Sequence, residues 1–239
     1  MARLPRLSLA GQPHWLIQRG HSGAPVVADN ADRLSFLAAL KEAAVAEQVQ
    51  IHAFALLDNE VHLLATPASA AGLSRMMQAL GRRYVSAYRR RHGGSGTLWA
   101  GRFRCAVVEP GATLLEVLCL IDGLAGAVPG PGPVDTSLAH GALPEPVHTS
   151  LAHRSGGETH PLLVDPPSYW LLGNTPFERQ AAWRRRVADG LPALRAAALR
   201  TAALGGWAVG SPAFAAAVAS ETARPAAPRL RGRPRLKKS

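Results

Sequence analysis

Two side chains that could hold a metal ion are separated by one residue in the segment Glu60-Val61-His62. On an extended strand, residues two apart point to the same face and lie about 6.6 Å apart along it. A carboxylate oxygen and an imidazole nitrogen at that spacing can converge on one divalent ion, and such a pair suits Mg²⁺ or Mn²⁺. The alternative is that Glu60 and His62 only form the polar face of a half-buried strand.

Positive charge is concentrated in two zones of the chain. There are 27 Lys and Arg residues against 16 Asp and Glu, which gives a net charge of +11 over 239 residues. A charge of this sign and size favours a polyanionic partner, most simply nucleic acid. The second zone extends from residue 223 to the C-terminus. The first zone lies earlier in the chain and consists of Arg82, Arg83, Arg89, Arg90, Arg91, Arg102 and Arg104.

Within the first zone, the sequence predicts two kinds of contact with DNA. Arg82, Arg83, Arg89 and Arg90 would face phosphates, although a simple solvated helix face is the alternative. Trp99 precedes Arg102 and Arg104, and a cluster of aromatic and basic residues can stack on bases and hold phosphates. In the alternative, Trp99 completes the hydrophobic core and the arginines are solvated.

The tail contains a segment similar to the core of an AT-hook, Arg231-Gly232-Arg233-Pro234-Arg235. Glycine permits close approach of the backbone, and proline keeps the segment extended. Arginines two apart can then lie along a narrow A·T minor groove, whose negative potential attracts them. The alternative is an unspecific basic tail that binds through counterion release.

Composition excludes several classes of protein. Hydrophobic residues make up 47% of the chain, enough to build a core, so wholesale disorder is excluded. No window holds the ~18 consecutive apolar residues of a spanning helix, and the basic start lacks the apolar middle of a secretory signal. Two cysteines, Cys105 and Cys119, cannot form a disulfide framework. We therefore expect a cytoplasmic protein without a membrane partner, associated with the nucleoid when bound to DNA.

The elements that must position these residues follow from hydrophobic periodicity. Residues 14–19, 49–56, 60–66 and 102–108 alternate as strands do. Asp29 or Asn30 can cap a first helix with Leu34, Leu37 and Leu40 on one stripe, a second helix ends at Gly93-Gly94, and a third spans 114–121. This order predicts an α+β protein with a ferredoxin-like split β-α-β domain, in which an antiparallel sheet has helices on one face.

We predict four parts along the chain. Residues 1–127 form the ferredoxin-fold domain. Residues 128–164 form an irregular insert that contains Pro, Gly and His and a duplicated TSLAH segment. Residues 165–222 form a helical C-terminal region, in which Thr175 and Glu178 make a capping box. Residues 223–239 form the basic, AT-hook-like and disordered tail.

Four blocks of sequence resemble, in order, those of the HUH single-tyrosine transposases, and most of all the REP-associated tyrosine transposases. The blocks are RGHSGAPVVADNADR (19–33), LLDNEVHLLATP (56–67), GRRYVSAYRRRHGGSGTLWAGRFR (81–104) and LLEVLCLID (114–122). The resemblance implies a nuclease domain that cuts single-stranded DNA near a hairpin during DNA transposition. In that family two histidines flanking an apolar residue hold a metal ion, which polarises the phosphate that a helix tyrosine attacks.

The sequence departs from the family pattern at both catalytic positions. The first histidine of the pair falls on Glu60, and the nucleophile falls on Leu120, which has no nucleophilic atom. We therefore expect a DNA-binding protein that has lost its nicking chemistry, with Mg²⁺ or Mn²⁺ only if Glu60 and His62 retain the site. The expected partners are single-stranded or hairpin DNA, and A·T-rich duplex for the tail.

Two alternatives stay open at this point. One is an active metal-dependent single-strand endonuclease or transposase with an unrecognised nucleophile. The other is a non-catalytic interaction scaffold whose tail alone binds DNA, without specificity. Metal-dependent cleavage of a hairpin-bearing strand distinguishes the first alternative, and removal of residues 229–239 distinguishes the second.

Overall fold

A computed structural model describes residues 6–124 and 148–228, which form a five-stranded antiparallel sheet with helices on both faces. The strands are β1 (His14–Arg19), β2 (Val49–Leu56), β3 (Glu60–Pro67), β4 (Arg104–Val107) and β5 (His148–Thr149). The helices are α1 (Asn30–Ala46), α2 (Gly72–His92), α3 (Ala112–Gly123), α4 (Leu151–Arg154), α5 (Pro167–Trp170), α6 (Pro176–Asp189), α7 (Ala193–Gly205) and α8 (Pro212–Thr222).

The sheet has the strand order β4-β1-β3-β2-β5, with every neighbouring pair antiparallel. The first four strands and the helices α1 and α2 form the split β-α-β unit, so the fold is α+β and ferredoxin-like, as predicted. A turn at Asp58-Asn59 joins β2 to β3. The register between them shifts by one residue between Ile51 and Ala53, which is a β-bulge that re-aims His52.

Helices α1 and α2 cover one face of the sheet. Phe36 and Leu40 of α1 and Tyr84 of α2 are buried against Leu63 of β3. Leu34 was predicted to lie on the apolar stripe of α1, but it is 58% exposed. The reason is that the buried side of α1 is centred on Phe36 and Leu40, and Leu34 lies outside that side of the helix.

Helices α3, α6 and α7 cover the opposite face. Leu118 of α3, Trp183 of α6 and Leu199 and Ala203 of α7 are buried in one cluster with Trp15 of β1. The expectation of helices on one face therefore holds for α1 and α2, while the second face is covered by α3 and the helices of the C-terminal region. Local patterns predicted α6 and α7 as helices but gave no information on which surface they would cover.

The longest described helix, α2, carries the first basic zone. It spans 21 residues and ends in Arg89, Arg90, Arg91 and His92, where the helix dipole favours cations. Gly93, at φ 69°, ends it in a conformation that favours glycine. No helix within residues 6–124 and 148–228, α2 included, is long and apolar enough to cross a lipid bilayer.

The β4 edge of the sheet is covered by the C-terminal region. The Val209 N–H donates to the Val107 carbonyl (2.8 Å), and the Glu109 N–H donates to the Val209 carbonyl (2.8 Å). Val218 of α8 is buried beside Val107. These contacts satisfy backbone groups that an open edge strand would leave unpaired.

The second copy of the duplicated segment is part of the fold. His148 and Thr149 form β5, which pairs with the end of β2 at Leu56 and Ala55. Ser150 is buried, and its Oγ accepts a hydrogen bond from the Phe54 N–H (3.1 Å). The first copy and residues 229–239 of the predicted tail lie outside the described residues. Within residues 223–228, which were predicted to be part of a disordered tail, Ala226 is buried and its carbonyl accepts a hydrogen bond from the Ala208 N–H (2.7 Å).

A buried ion pair ties this segment to α3. Arg154 Nη1 donates to Asp122 Oδ2 (3.1 Å), and Arg154 Nε donates to Asp165 Oδ1 (2.7 Å). Asp122 also accepts a hydrogen bond from Trp183 Nε1 (3.0 Å) on α6, and from the Ser150 hydroxyl. Both Arg154 and Asp122 are 0% exposed. Each buried charge thus has an opposite partner and further hydrogen bonds, which is what keeps such a pair tolerable in a protein interior.

Candidate functional site

Glu60 and His62 lie side by side on the central strand β3. The antiparallel register places Glu60 opposite Arg19 and His62 opposite Ile17 of β1. Their side chains meet, with Glu60 Oε1 2.7 Å from His62 Nε2. His62 is fully buried and Glu60 is nearly so, because α3 and α7 cover this face of the sheet. The two-residue spacing therefore does bring the two candidate ligands together.

Every candidate ligand atom of this pair has a hydrogen-bond partner. Trp15 Nε1 donates to His62 Nδ1 (3.1 Å). Since an indole N–H can only donate, His62 Nδ1 carries no proton, and the neutral ring carries its proton on Nε2 beside Glu60. Glu60 Oε1 accepts from Arg200 Nη2 (2.6 Å), and Glu60 Oε2 accepts from Arg19 Nε (2.7 Å).

The charges in this cluster follow from its surroundings. Burial acts to raise the pKa of Glu60, but the hydrogen bond from His62, the charge of Arg200 and the hydrogen bond from Arg19 outweigh burial and hold this pKa below its usual value. Burial lowers the pKa of His62, so the imidazole is neutral near pH 7. One carboxylate and two guanidinium groups then leave a net charge of +1.

This donor set does not fit a divalent ion. His62 Nδ1 faces Trp15 and His62 Nε2 carries a proton, so the ring has no lone pair to offer, and a metal ligand needs one. Both oxygens of Glu60 are bound to guanidinium groups. Arg200 Nη1 also lies 3.5 Å from His62 Nε2, so a dication between the two residues would meet fixed positive charge. The predicted Mg²⁺ or Mn²⁺ ligands Glu60 and His62 instead form an ion-pair cluster.

Leu120 of α3 lies beside the cluster of Glu60, His62 and Arg200. Together with Trp15, His62, Leu124 and Arg200 it lines a cavity of about 160 Å³. The position on which the family's nucleophile falls thus lies beside the candidate metal ligands. Its hydrocarbon side chain gives this cavity an apolar wall.

The chain has three tyrosines, and none of their hydroxyls points to this cavity. Tyr84 and Tyr88 lie on α2, on the opposite side of the sheet, and donate to the carbonyls of Val26 (2.5 Å) and Pro25 (3.2 Å). Tyr169 also donates to a backbone carbonyl (3.3 Å). Burial raises the pKa of all three phenols, which makes each a weaker source of phenolate.

A different group of candidate metal ligands occurs elsewhere in the described part of the chain. Asp29, Asp32 and His92 place their ligand atoms within 4.8 Å of one another. Arg91 binds both carboxylates, with Nη2 2.7 Å from Asp29 Oδ2, and His92 Nε2 lies 2.9 Å from Asp32 Oδ2. These contacts connect the start of α1 to the end of α2, so the group joins two helices.

The predicted DNA-binding arginines divide into paired and unpaired residues. Arg83 forms an ion pair with Glu42, and Arg90 donates to the Ser86 hydroxyl (2.8 Å). Within residues 6–124 and 148–228, no side-chain partner occurs for the four others, which are Arg82, Arg89, Arg102 and Arg104. We call these four the unpaired arginine surface; Arg82 and Arg89 lie on α2, whereas Arg104 lies opposite Ile17 of β1, on the other face of the sheet. Arg82 and Arg89 line an open groove of about 670 Å³ along α2.

Trp99 lies beside this surface. Its ring is half-buried with its centroid 6.3 Å from that of Tyr84, so part of the ring packs on the core and part remains accessible. Trp99, Phe103 and Arg102 contribute to the lining of a cavity of about 480 Å³. Gly81 lines both this cavity and the α2 groove, which makes the two adjacent.

Sequence reasoning missed the two arginines that bind Glu60. Arg19 becomes visible once β1 and β3 are paired, because the register places it directly opposite Glu60. Arg200 lies 140 residues further along the chain than Glu60, and no local pattern connects them. The AT-hook-like residues Arg231, Gly232, Arg233, Pro234 and Arg235 lie outside the described residues.

Comparison with known proteins finds similarity in structure alone. No protein-family model and no curated protein matches the chain. Among solved structures, it is similar to a REP-associated tyrosine transposase bound to a REP hairpin, at 14% identity, over 51% of this chain and 71% of that chain, with a TM-score of 0.43. It is also similar to a transposase candidate from Deinococcus radiodurans, at 22% identity, over 46% of this chain and 88% of that chain, with a TM-score of 0.35.

Proposed function

We propose that this chain is a DNA-binding protein of the HUH single-tyrosine transposase type that no longer nicks DNA. The observation that carries this proposal is the unpaired arginine surface. Arg82, Arg102 and Arg104 are exposed, Arg89 is half-buried, and none of the four is neutralised by a carboxylate of the described residues. Arginine side chains in that state bind phosphates and release condensed counterions.

The contrast with the other arginines supports a role in binding. Four other arginines form ion pairs with carboxylates, namely Arg75, Arg83, Arg91 and Arg195. The positive charge of each is therefore largely neutralised within the protein. The groove along α2 is lined by Arg82, Arg89 and Arg90 together with small or neutral residues, and no acidic residue lines it. Its positive potential is therefore not cancelled locally, and a DNA backbone can follow it.

The cavity next to Trp99 favours single-stranded or hairpin DNA as the partner. The accessible part of the Trp99 ring can stack on a base that is not held in a duplex, and Arg102 can hold the neighbouring phosphate. Segment 81–104, one of the blocks that resemble the family, contains the whole unpaired arginine surface and Trp99. The basic tail adds a second contact, which we propose is to A·T-rich duplex.

Two features support the loss of nicking. Leu120 stands where the family pattern has its nucleophile, and the tyrosine hydroxyls donate to backbone carbonyls at other places. In addition, both oxygens of Glu60 are bound to guanidinium groups and His62 Nδ1 is bound to Trp15, so the pair is not arranged to hold a metal ion that could polarise a phosphate. Neither part of a metal-assisted nucleophilic attack is therefore in place.

Removing residues 229–239 tests whether the folded domain itself binds DNA. These residues contain six cations and no acid, so the truncated chain keeps a net charge of +5 out of +11. We expect it to bind a labelled hairpin-bearing single strand more weakly than the full chain but measurably, because the unpaired arginine surface remains. Fluorescence anisotropy between low and moderate salt gives the affinity and its salt dependence. Complete loss of binding at low salt would show that the domain is only a scaffold.

A further inference from the structure

We propose that Arg19 and Arg200 form a metal-free phosphate clamp, in which two guanidinium groups held by Glu60 occupy the place that the family pattern gives to a divalent ion. The proposal rests on the proposed function, because it describes how one phosphate of the bound DNA is held. In place of the charge of a metal ion, the side chains of Glu60, Arg19 and Arg200 supply a net charge of +1.

The hydrogen bonds leave both guanidinium groups with donors to spare. Glu60 takes only Nε of Arg19 and only Nη2 of Arg200, while Arg200 Nη1 lies 3.5 Å from His62 Nε2, which carries a proton and cannot accept a hydrogen bond. The terminal nitrogens of Arg19 and Nε of Arg200 have no partner among the described residues. Both side chains are substantially exposed, 47% for Arg19 and 40% for Arg200, while that of Glu60 is 10% exposed. The carboxylate therefore lies beneath, and the guanidinium groups face solvent.

Glu60 makes the pair of cations possible. Two guanidinium groups alone would repel each other, and a shared carboxylate holds them together at fixed positions. Because the cluster has a net charge of +1, one phosphodiester, with its single negative charge, neutralises it. Guanidinium N–H groups match the geometry of phosphate oxygens, and fixed positions lower the entropic cost of binding.

The elements that carry the clamp are fixed and lie on the same face of the sheet as Arg104, while the α2 groove lies on the other face. Arg200 follows Leu199 on α7, and Leu199 and Ala203 are buried in the core, so the helix cannot shift freely. Arg19 ends β1, and its carbonyl accepts a hydrogen bond from the Ala100 N–H (2.9 Å). The clamp thus adjoins the segment that carries Trp99 and Arg102. A strand bound along that segment can reach it.

The test compares two arginines on the same helix. Arg195 of α7 is 41% exposed and paired with Glu116, which matches Arg200 in exposure and in having a carboxylate partner. In the full-length chain, R200A is expected to weaken hairpin DNA binding about 5- to 10-fold near 0.1 M salt and to reduce the slope of log affinity against log salt by about 0.7–0.9. R195A, which removes the same charge, is expected to change neither quantity.

Three further measurements keep the test independent of folding. R200K keeps the charge and is expected to recover most of the affinity, while R200Q keeps a hydrogen bond to Glu60 and is expected to bind as weakly as R200A. Wild-type binding is expected to be equal in EDTA and in Mn²⁺ at constant ionic strength. Titration with Mn²⁺ alone, followed by electron paramagnetic resonance, is expected to show a site in the double variant Glu60→His/Arg200→Ala that is absent from wild type.

Three results would overturn the clamp. The first is equal affinity of R200A and R195A while both still bind DNA. The second is wild-type binding that is lost in EDTA and restored by Mn²⁺. The third is a Mn²⁺ site in wild type that His62→Ala removes. If wild type binds no hairpin DNA under any of these conditions, the proposed function itself fails, and the clamp fails with it.

Discussion

Replacing Arg154 with methionine is expected to lower the free energy of unfolding by about 3–5 kcal/mol, because it leaves the buried Asp122 carboxylate without its cation. Asp122 and Arg154 are both 0% exposed. Burial already raises the pKa of Asp122, and the charge of Arg154 is the main opposing influence. Urea denaturation of wild type and variant, followed by circular dichroism, measures the difference.

The pH dependence of this loss has a definite sign. Without Arg154, the folded-state pKa of Asp122 rises further above its unfolded value, so the folded state binds a proton that the unfolded state does not. Stability of the variant should therefore increase as the pH falls from neutral towards the unfolded pKa of an aspartate, about 4. Arg195→Met is the matched control, since it breaks an exposed ion pair worth about 0–1 kcal/mol. Equal losses in the two variants would contradict the structural role of Arg154.

Removing the unpaired arginine surface is expected to have the largest effect on DNA binding. Changing Arg82, Arg89, Arg102 and Arg104 together to alanine should weaken binding of hairpin DNA about 10³-fold at 0.1 M salt, because each phosphate contact contributes about 0.7–0.9 to the salt slope. The same variant should show a salt slope that is smaller by about 3. Anisotropy titrations at several salt concentrations give both quantities.

A charge-matched control separates contact from net charge. Arg184, Arg185, Arg186 and Arg195 lie on α6 and α7, and their replacement with alanine also removes four charges. This control should retain most of the affinity and slope of the wild type. If the two quadruple variants weaken binding equally, the chain attracts DNA through its overall charge, and the unpaired arginine surface is not the binding site.

Local sequence patterns were sufficient for the ferredoxin-like unit. Strand alternation predicted β1 and β2 with the bounds that the structure shows. Short polar side chains predicted helix starts, and the capping box of Thr175 and Glu178 is present at the start of α6. The elements β5 and α4 lie in segment 128–164, which was predicted to be irregular, and α5 lies in segment 165–222, which was predicted to be helical only as a whole. β5 pairs with β2 and Arg154 of α4 pairs with the buried Asp122 of α3, and no local periodicity reveals these contacts between distant segments.

The candidate site was predictable only in part, for a similar reason. Strand geometry places Glu60 and His62 on one face, but whether their lone pairs are available depends on Trp15, Arg19 and Arg200. Two separate elements, β1 and α7, supply those partners. In the same way, the sequence could not distinguish Arg82 from its neighbour Arg83, because only the position of Glu42 on α1 makes one of them paired.

The most direct measurement is a search for a covalent link between the protein and DNA. Purified full-length chain is incubated with a labelled hairpin-bearing single strand and Mn²⁺, and the sample is divided between a native and a denaturing gel. DNA binding without nicking predicts a mobility shift in the native gel and no slow-migrating adduct in the denaturing gel. An adduct that survives denaturation would show that a side chain of this protein attacks DNA, and would contradict the proposed loss of nicking.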